Sequence, residues 1–156
     1  MRRAGFTALL ALLATVAAGH PAPNSLFKCD FQPSGVRAEY WIPVSELAYA
    51  RAADPAGEFA DYLLRHVAAE SPGGASWRVS VVGARAAAYA GHDYLVADLR
   101  LLPPAGQAPR PFVLVDDAVT HEVRNHVIYV LERRDTGSEL LGLLQYPTLR
   151  LEIGAR

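Results

Sequence analysis

A single cysteine, Cys29, rules out any disulfide within the chain, so the fold must hold by packing alone even in an oxidising compartment. No apolar run reaches the roughly 20 residues of a membrane helix; the longest, Gly5 to Gly19, is shorter. Charge of one sign is missing too. The 156 residues carry 15 basic and 16 acidic side chains, a net of −1, with no basic stripe to suggest nucleic acid. Gly73-Gly74 lacks the strand–loop–helix order of a phosphate-binding loop, which argues against a nucleotide. Ser45, Ser71, Ser76, Ser80 and Ser138 stand in neither a nucleophile elbow nor an SxxK context, and Cys29 has no base close to it in sequence.

What is present begins with an export signal. Arg2 and Arg3 precede the uncharged run, and Ala17 and Gly19 supply the small residues needed at −3 and −1. Residues 1–19 therefore read as a signal peptide and 20–156 as one extracytoplasmic β-rich domain, periplasmic or extracellular. No lipobox cysteine marks the cut. Loss of Arg2 and Arg3 leaves 13 basic residues against 16 acidic ones, a net of −3. Cleavage after Gly19 makes His20 the first residue, whose α-amine and Nδ1 can both bind one metal ion. Cleavage one residue earlier, allowed by Val16 and Ala18, would leave Gly19 in front.

Downstream, Leu26, Cys29 and Phe31 lead to a Pro33-Ser34-Gly35 turn. Val36, Ala38, Tyr40 and Ile42 then alternate with Arg37, Glu39 and Trp41. This period of two predicts a β-hairpin that buries Cys29. Ser45-Glu46-Leu47 suggests a short helical turn. A helix is expected from an Asp54 N-cap and Pro55 up to about Ala69, carried by Phe59 and Leu63 and stopped at Ser71-Pro72-Gly73-Gly74. Runs around Val79-Val81, Tyr94-Leu101, Phe112-Val115, Val127-Leu131, Leu140-Leu144 and Leu149-Ile153 predict further strands, with a Pro-rich loop over 103–110. The sum is a mainly β fold: an antiparallel β-sandwich or barrel-like domain with one inserted α-helix.

Five histidines remain: His20, His66, His92, His121 and His126. His92 lies in a Gly-His-Asp turn and reads as solvated; His66 reads as packing on the helix. His121 and His126, five residues apart, would face opposite sides of a strand and converge only in a loop. Asp116 and Asp117, just upstream, could ligate a metal or orient an imidazole.

The segment His20-Pro21-Ala22-Pro23-Asn24-Ser25 resembles the exported start of HupE/UreJ-type membrane proteins. Pro43-Val44-Ser45-Glu46-Leu47, Tyr62-Leu63-Leu64-Arg65-His66 and Leu99 to Gly106 are similar to further segments of that extracytoplasmic region. So is Asp117-Ala118-Val119-Thr120-His121, with His126 following. The resemblance implies a link to nickel or related metal uptake, here without the membrane helices and so without a transport activity of its own. It also makes His20, His66, His121 and His126 family-matching positions.

The resulting expectation is a non-enzymatic domain binding one divalent transition metal: nickel, copper or zinc, which imidazoles suit. His20, His121 and His126 would be ligands and Asp117 the outer-shell orienter, with a HupE/UreJ-type permease as membrane partner. Pro21 has no amide N–H, which excludes a square-planar peptide chelate. With an α-amine near about 7.7–8.0 and an imidazole near about 6.5, loading would improve as pH rises through that range. The alternatives are a metal-free interaction module docking on a membrane partner, and a copper-dependent oxidative enzyme, for which the sequence shows no substrate surface.

Overall fold

The alternating stretches become paired strands in the computed structural model, which describes residues 23–53 and 55–154. The signal-peptide segment, His20 and Asp54 lie outside the described residues. In chain order the elements are β1 (Ser25–Gln32), β2 (Gly35–Pro43), α1 (Val44–Ala50), α2 (Phe59–His66), β3 (Val67–Glu70), β4 (Arg78–Tyr89) and β5 (His92–Leu102). They continue with β6 (Phe112–Asp116), β7 (Ile128–Arg134), β8 (Gly137–Leu144) and β9 (Arg150–Ile153). Six strands form one sheet in the order β4-β5-β2-β1-β7-β8, and β3-β6-β9 form a second.

The mainly β, sandwich-like reading holds, and the sheets do not close into a barrel. Every pairing is antiparallel except one: β1 runs parallel to β7, with Ser25 opposite Ile128 and Phe27 opposite Val130. In β2 the alternation sorts the faces as expected, with Val36, Ala38, Tyr40 and Ile42 inward and Arg37 exposed. Phe27 and Cys29 of β1 are fully buried beside them. Burial pushes the Cys29 thiol up to about 12, so it stays protonated and unreactive. Each large side chain enclosed between the sheets contributes about 1.5–3 kcal/mol. The β4–β5 hairpin turns at Ala90 and Gly91, with φ of 50° and 79°, the positive pair that matches strand twist across a two-residue loop. At Gly35 a Cβ would sit 2.6 Å from the Leu101 carbonyl oxygen, so only glycine lets β2 start this close to β5.

Two helices are present rather than one. Behind Pro43 the turn suggested at Ser45 is a full helix, α1, burying Leu47 and Ala50. The expected 54–69 helix is shorter at both ends: α2 begins at Phe59 and stops at His66. Its intended last turn is instead β3, because Val67 and Ala69 pair with Asp116 and Leu114 of β6 and complete the smaller sheet. Sheet pairing outweighs a local helical pattern here. Among the described residues no helix is long and apolar enough to cross a membrane.

Candidate functional site

The segment after β6 is a coiled loop pinned from below. His121 N–H donates to the Asp117 carbonyl (3.0 Å), Val123 N–H to Val119 (2.8 Å) and His126 N–H to Val123 (2.9 Å). Asp117 N–H donates to the carbonyl of His66 (3.1 Å), tying the loop to the end of α2. Two buried groups shape the bend. The Asp116 carboxyl accepts from Ala118 N–H at 2.9 Å, and the Tyr62 hydroxyl accepts from Val119 N–H at 2.9 Å. Burial holds the Asp116 carboxyl well above its ordinary value, against the pull of the Ala118 and Tyr40 contacts. It also raises the Tyr62 hydroxyl to about 12. In both cases burial favours the protonated form. Val119 has φ of 67°, a left-handed conformation that a β-branched residue adopts only at a cost of about 1–3 kcal/mol. The strain lies between Ala118 and His121, at the point where two imidazoles meet.

That meeting joins His66, at the last position of α2, to His121 of the loop. Their rings stack with centroids 4.1 Å apart and planes 15° from parallel, and Tyr62 packs on His66 at 4.7 Å. The His66 Nδ1 lies 2.8 Å from Asp117 Oδ1, and the His121 Nδ1 lies 3.0 Å from the Asp117 backbone carbonyl. Carboxylates and carbonyls only accept, so both Nδ1 atoms carry the hydrogen. Each uncharged ring then presents its lone pair at Nε2, the tautomer a metal requires. The Asp117 carboxylate behind His66 is the usual support for a ligating imidazole. Among the described residues neither Nε2 has a hydrogen-bond partner. The stack also sets a limit: in-plane lone pairs of nearly parallel rings do not converge, so one ring must turn before both can hold a single ion at about 2.1 Å.

His126 stands in a different environment. It is 2% exposed, and its Nε2 lies 2.8 Å from the Ser25 Oγ. Burial pulls its imidazole down to about 4. Its Nδ1 is enclosed without a hydrogen-bond partner, as are the Asp116 Oδ2, Thr120 Oγ1 and Tyr40 hydroxyl. The Tyr40 hydroxyl nevertheless lies near both Asp116 and Ser25. These groups make a polar strip at the end of the core beneath the loop. Ser25 is itself fully buried.

Of the residues singled out from sequence, the structure joins Asp117 to His66 and His121. His126 makes no ring contact with His121 among the described residues, and His20 lies outside them. His66, read as a packing residue, proves to be the ring that Asp117 holds. Ser25 and Tyr62 were missed as partners because each bond closes a long gap: 101 residues for Ser25–His126 and 57 for Val119–Tyr62. Comparison with protein-family models finds no match for the chain, and comparison with curated proteins finds none either.

Proposed function

We propose that this is an exported, non-enzymatic domain that binds one divalent transition metal, nickel, copper or zinc, through His66 and His121. Asp117 orients the His66 ring, and His20 supplies a further nitrogen. The observation that carries the reading is a shared geometry: two stacked imidazoles, each with its Nδ1 within hydrogen-bond distance of Asp117, which directs the Nε2 lone pairs away from that residue. Ser25 is anchored at the edge of this loop by its N–H bond to Val127 O (3.0 Å). His20 lies five residues before it in the sequence. His121 is held by a single carbonyl and is the ring that turns when the ion binds. A bound ion would be cargo or signal, passed to a separate membrane protein of the HupE/UreJ type. Titration calorimetry of the processed protein with zinc, nickel and copper tests this. A His66→Gln/His121→Gln variant should bind at least tenfold more weakly, and equal binding by that variant would overturn it.

A second reading, a metal-free module docking on a membrane partner, has its own observation. Strand β8 ends the larger sheet with its outer edge unpaired among the described residues, and Leu140 and Leu143 are half exposed on it. Open apolar edges invite pairing. Loss of co-purification with a membrane protein on Leu140→Lys/Leu143→Lys, unaffected by chelator, would favour it.

A further inference from the structure

The outward face of the larger sheet carries a second arrangement of charge, unrelated to the histidines. Across β1, β2 and β5, Lys28 lines up with Glu39 and Asp98, and the next outward row aligns Asp30 with Arg37 and Arg100. These rows floor a groove of about 310 Å³, with Arg133 at its side. Every carboxylate in it is already engaged. Glu39 accepts from Arg85 (2.9 Å), Arg133 (2.8 Å) and Trp41 Nε1 (3.2 Å). Asp98 takes both oxygens to Arg85 at 2.9 and 3.1 Å, and Asp30 accepts from Gln32 at 2.8 Å. Although burial opposes ionisation of Glu39, the Trp41 and Arg85 bonds and the Arg133 charge hold its carboxyl below the ordinary value.

Arg37 and Arg100 are left over. They are direct cross-strand partners, so their Cβ atoms lie about 4.5–5.5 Å apart, where like charges destabilise a sheet. Neither has an ion pair or a hydrogen-bonded side chain among the described residues, in a chain whose net charge is −1. The same two arginines line an adjoining depression of about 210 Å³ with Gln32 and Ser34, which add an amide and a hydroxyl. Two guanidinium forks that repel in the free protein become a clamp once an oxyanion lies between them. A carboxylate occupies one fork. A phosphate monoester, with two charges and three free oxygens, satisfies both.

We infer that Arg37 and Arg100 form a binding site for a phosphate group, borne by a small soluble ester or by a phospholipid headgroup. The test uses the exported chain with inorganic phosphate, against sodium chloride at matched ionic strength, and with phosphatidic acid or phosphatidylcholine vesicles. Phosphate should raise Tm and shift the Arg37 and Arg100 Nε–H resonances. An Arg37→Gln/Arg100→Gln variant should lose at least tenfold in phosphate affinity, while its ligand-free Tm stays about level, because loss of the Arg37–Arg100 repulsion offsets loss of the Asp30–Arg37 alignment. Arg150→Gln, on the other sheet, should bind phosphate like the wild type. Arginine-dependent binding to phosphatidic acid vesicles without binding of free phosphate would assign the headgroup as source; the reverse would assign a soluble ester. Binding of both probes unchanged in the double variant, or no binding of either, would overturn the site.

Discussion

His121 and His126 sit five residues apart in one loop, yet the fold treats them oppositely. His121 is half-buried against a second imidazole, its Nδ1 directed to a backbone carbonyl. His126 is enclosed, bonded to Ser25, and pulled down to about 4 by burial alone. The same side chain is thus a ring stacked on another imidazole at one end, the ligand in the proposed function, and an uncharged core group at the other. Position relative to the core decides, and the coil through Val119 is what turns the loop from one environment to the other.

The largest expected effect breaks the comparison by pH. Unfolded His126 gains a proton near 6.5 while the folded residue resists until about 4. The unfolded state therefore binds more protons in that window, and stability falls as pH drops from 6.5 to 4, by about 3 kcal/mol. Asp116 works in the opposite sense, because its folded carboxyl keeps a proton that the unfolded one sheds, so its contribution falls as pH rises. Denaturant unfolding of Asp116→Asn should expose the full acid loss, and Asp116→Asn/His126→Gln should lack it. Equal pH slopes for the two would place His126 in solvent.

Next comes the bend itself. Tyr62→Phe removes the hydroxyl that accepts from Val119 N–H, leaving a buried donor at a strained residue. A loss of about 1–3 kcal/mol in chemical unfolding is expected, and no loss would show that the loop holds without this contact.

The pairing of the two histidine environments was only partly legible in the sequence. Alternation from Val36 to Ile42 announced β2, and Pro33-Ser34-Gly35 its turn, because those signals are local. The parallel β1–β7 pairing was not legible, since nothing in either strand encodes which neighbour it takes across about a hundred residues. Residues 67–69 read as helix because their partner, β6, lies between forty and fifty residues on. At the site, Asp117 could be recognised as an orienter from its place beside the histidines. That it orients His66 depended on α2 ending one residue before β3, a tertiary outcome.

The smallest effect on stability sharpens the comparison most. Asp117→Asn should change unfolding by less than about 1 kcal/mol, since its side chain is 41% exposed. Affinity for zinc should nevertheless fall about 10–100-fold, measured by competition with a chromophoric chelator. Unchanged affinity would remove Asp117 from the site.

Long-range ¹H–¹⁵N spectra of the imidazole rings, with and without zinc, address the central claim most directly. His66 and His121 should both show the Nδ1–H tautomer when uncharged, and zinc should move their Nε2 resonances while leaving those of His126 in place. An Nε2–H tautomer at either residue, or a zinc response confined to His126, would contradict it.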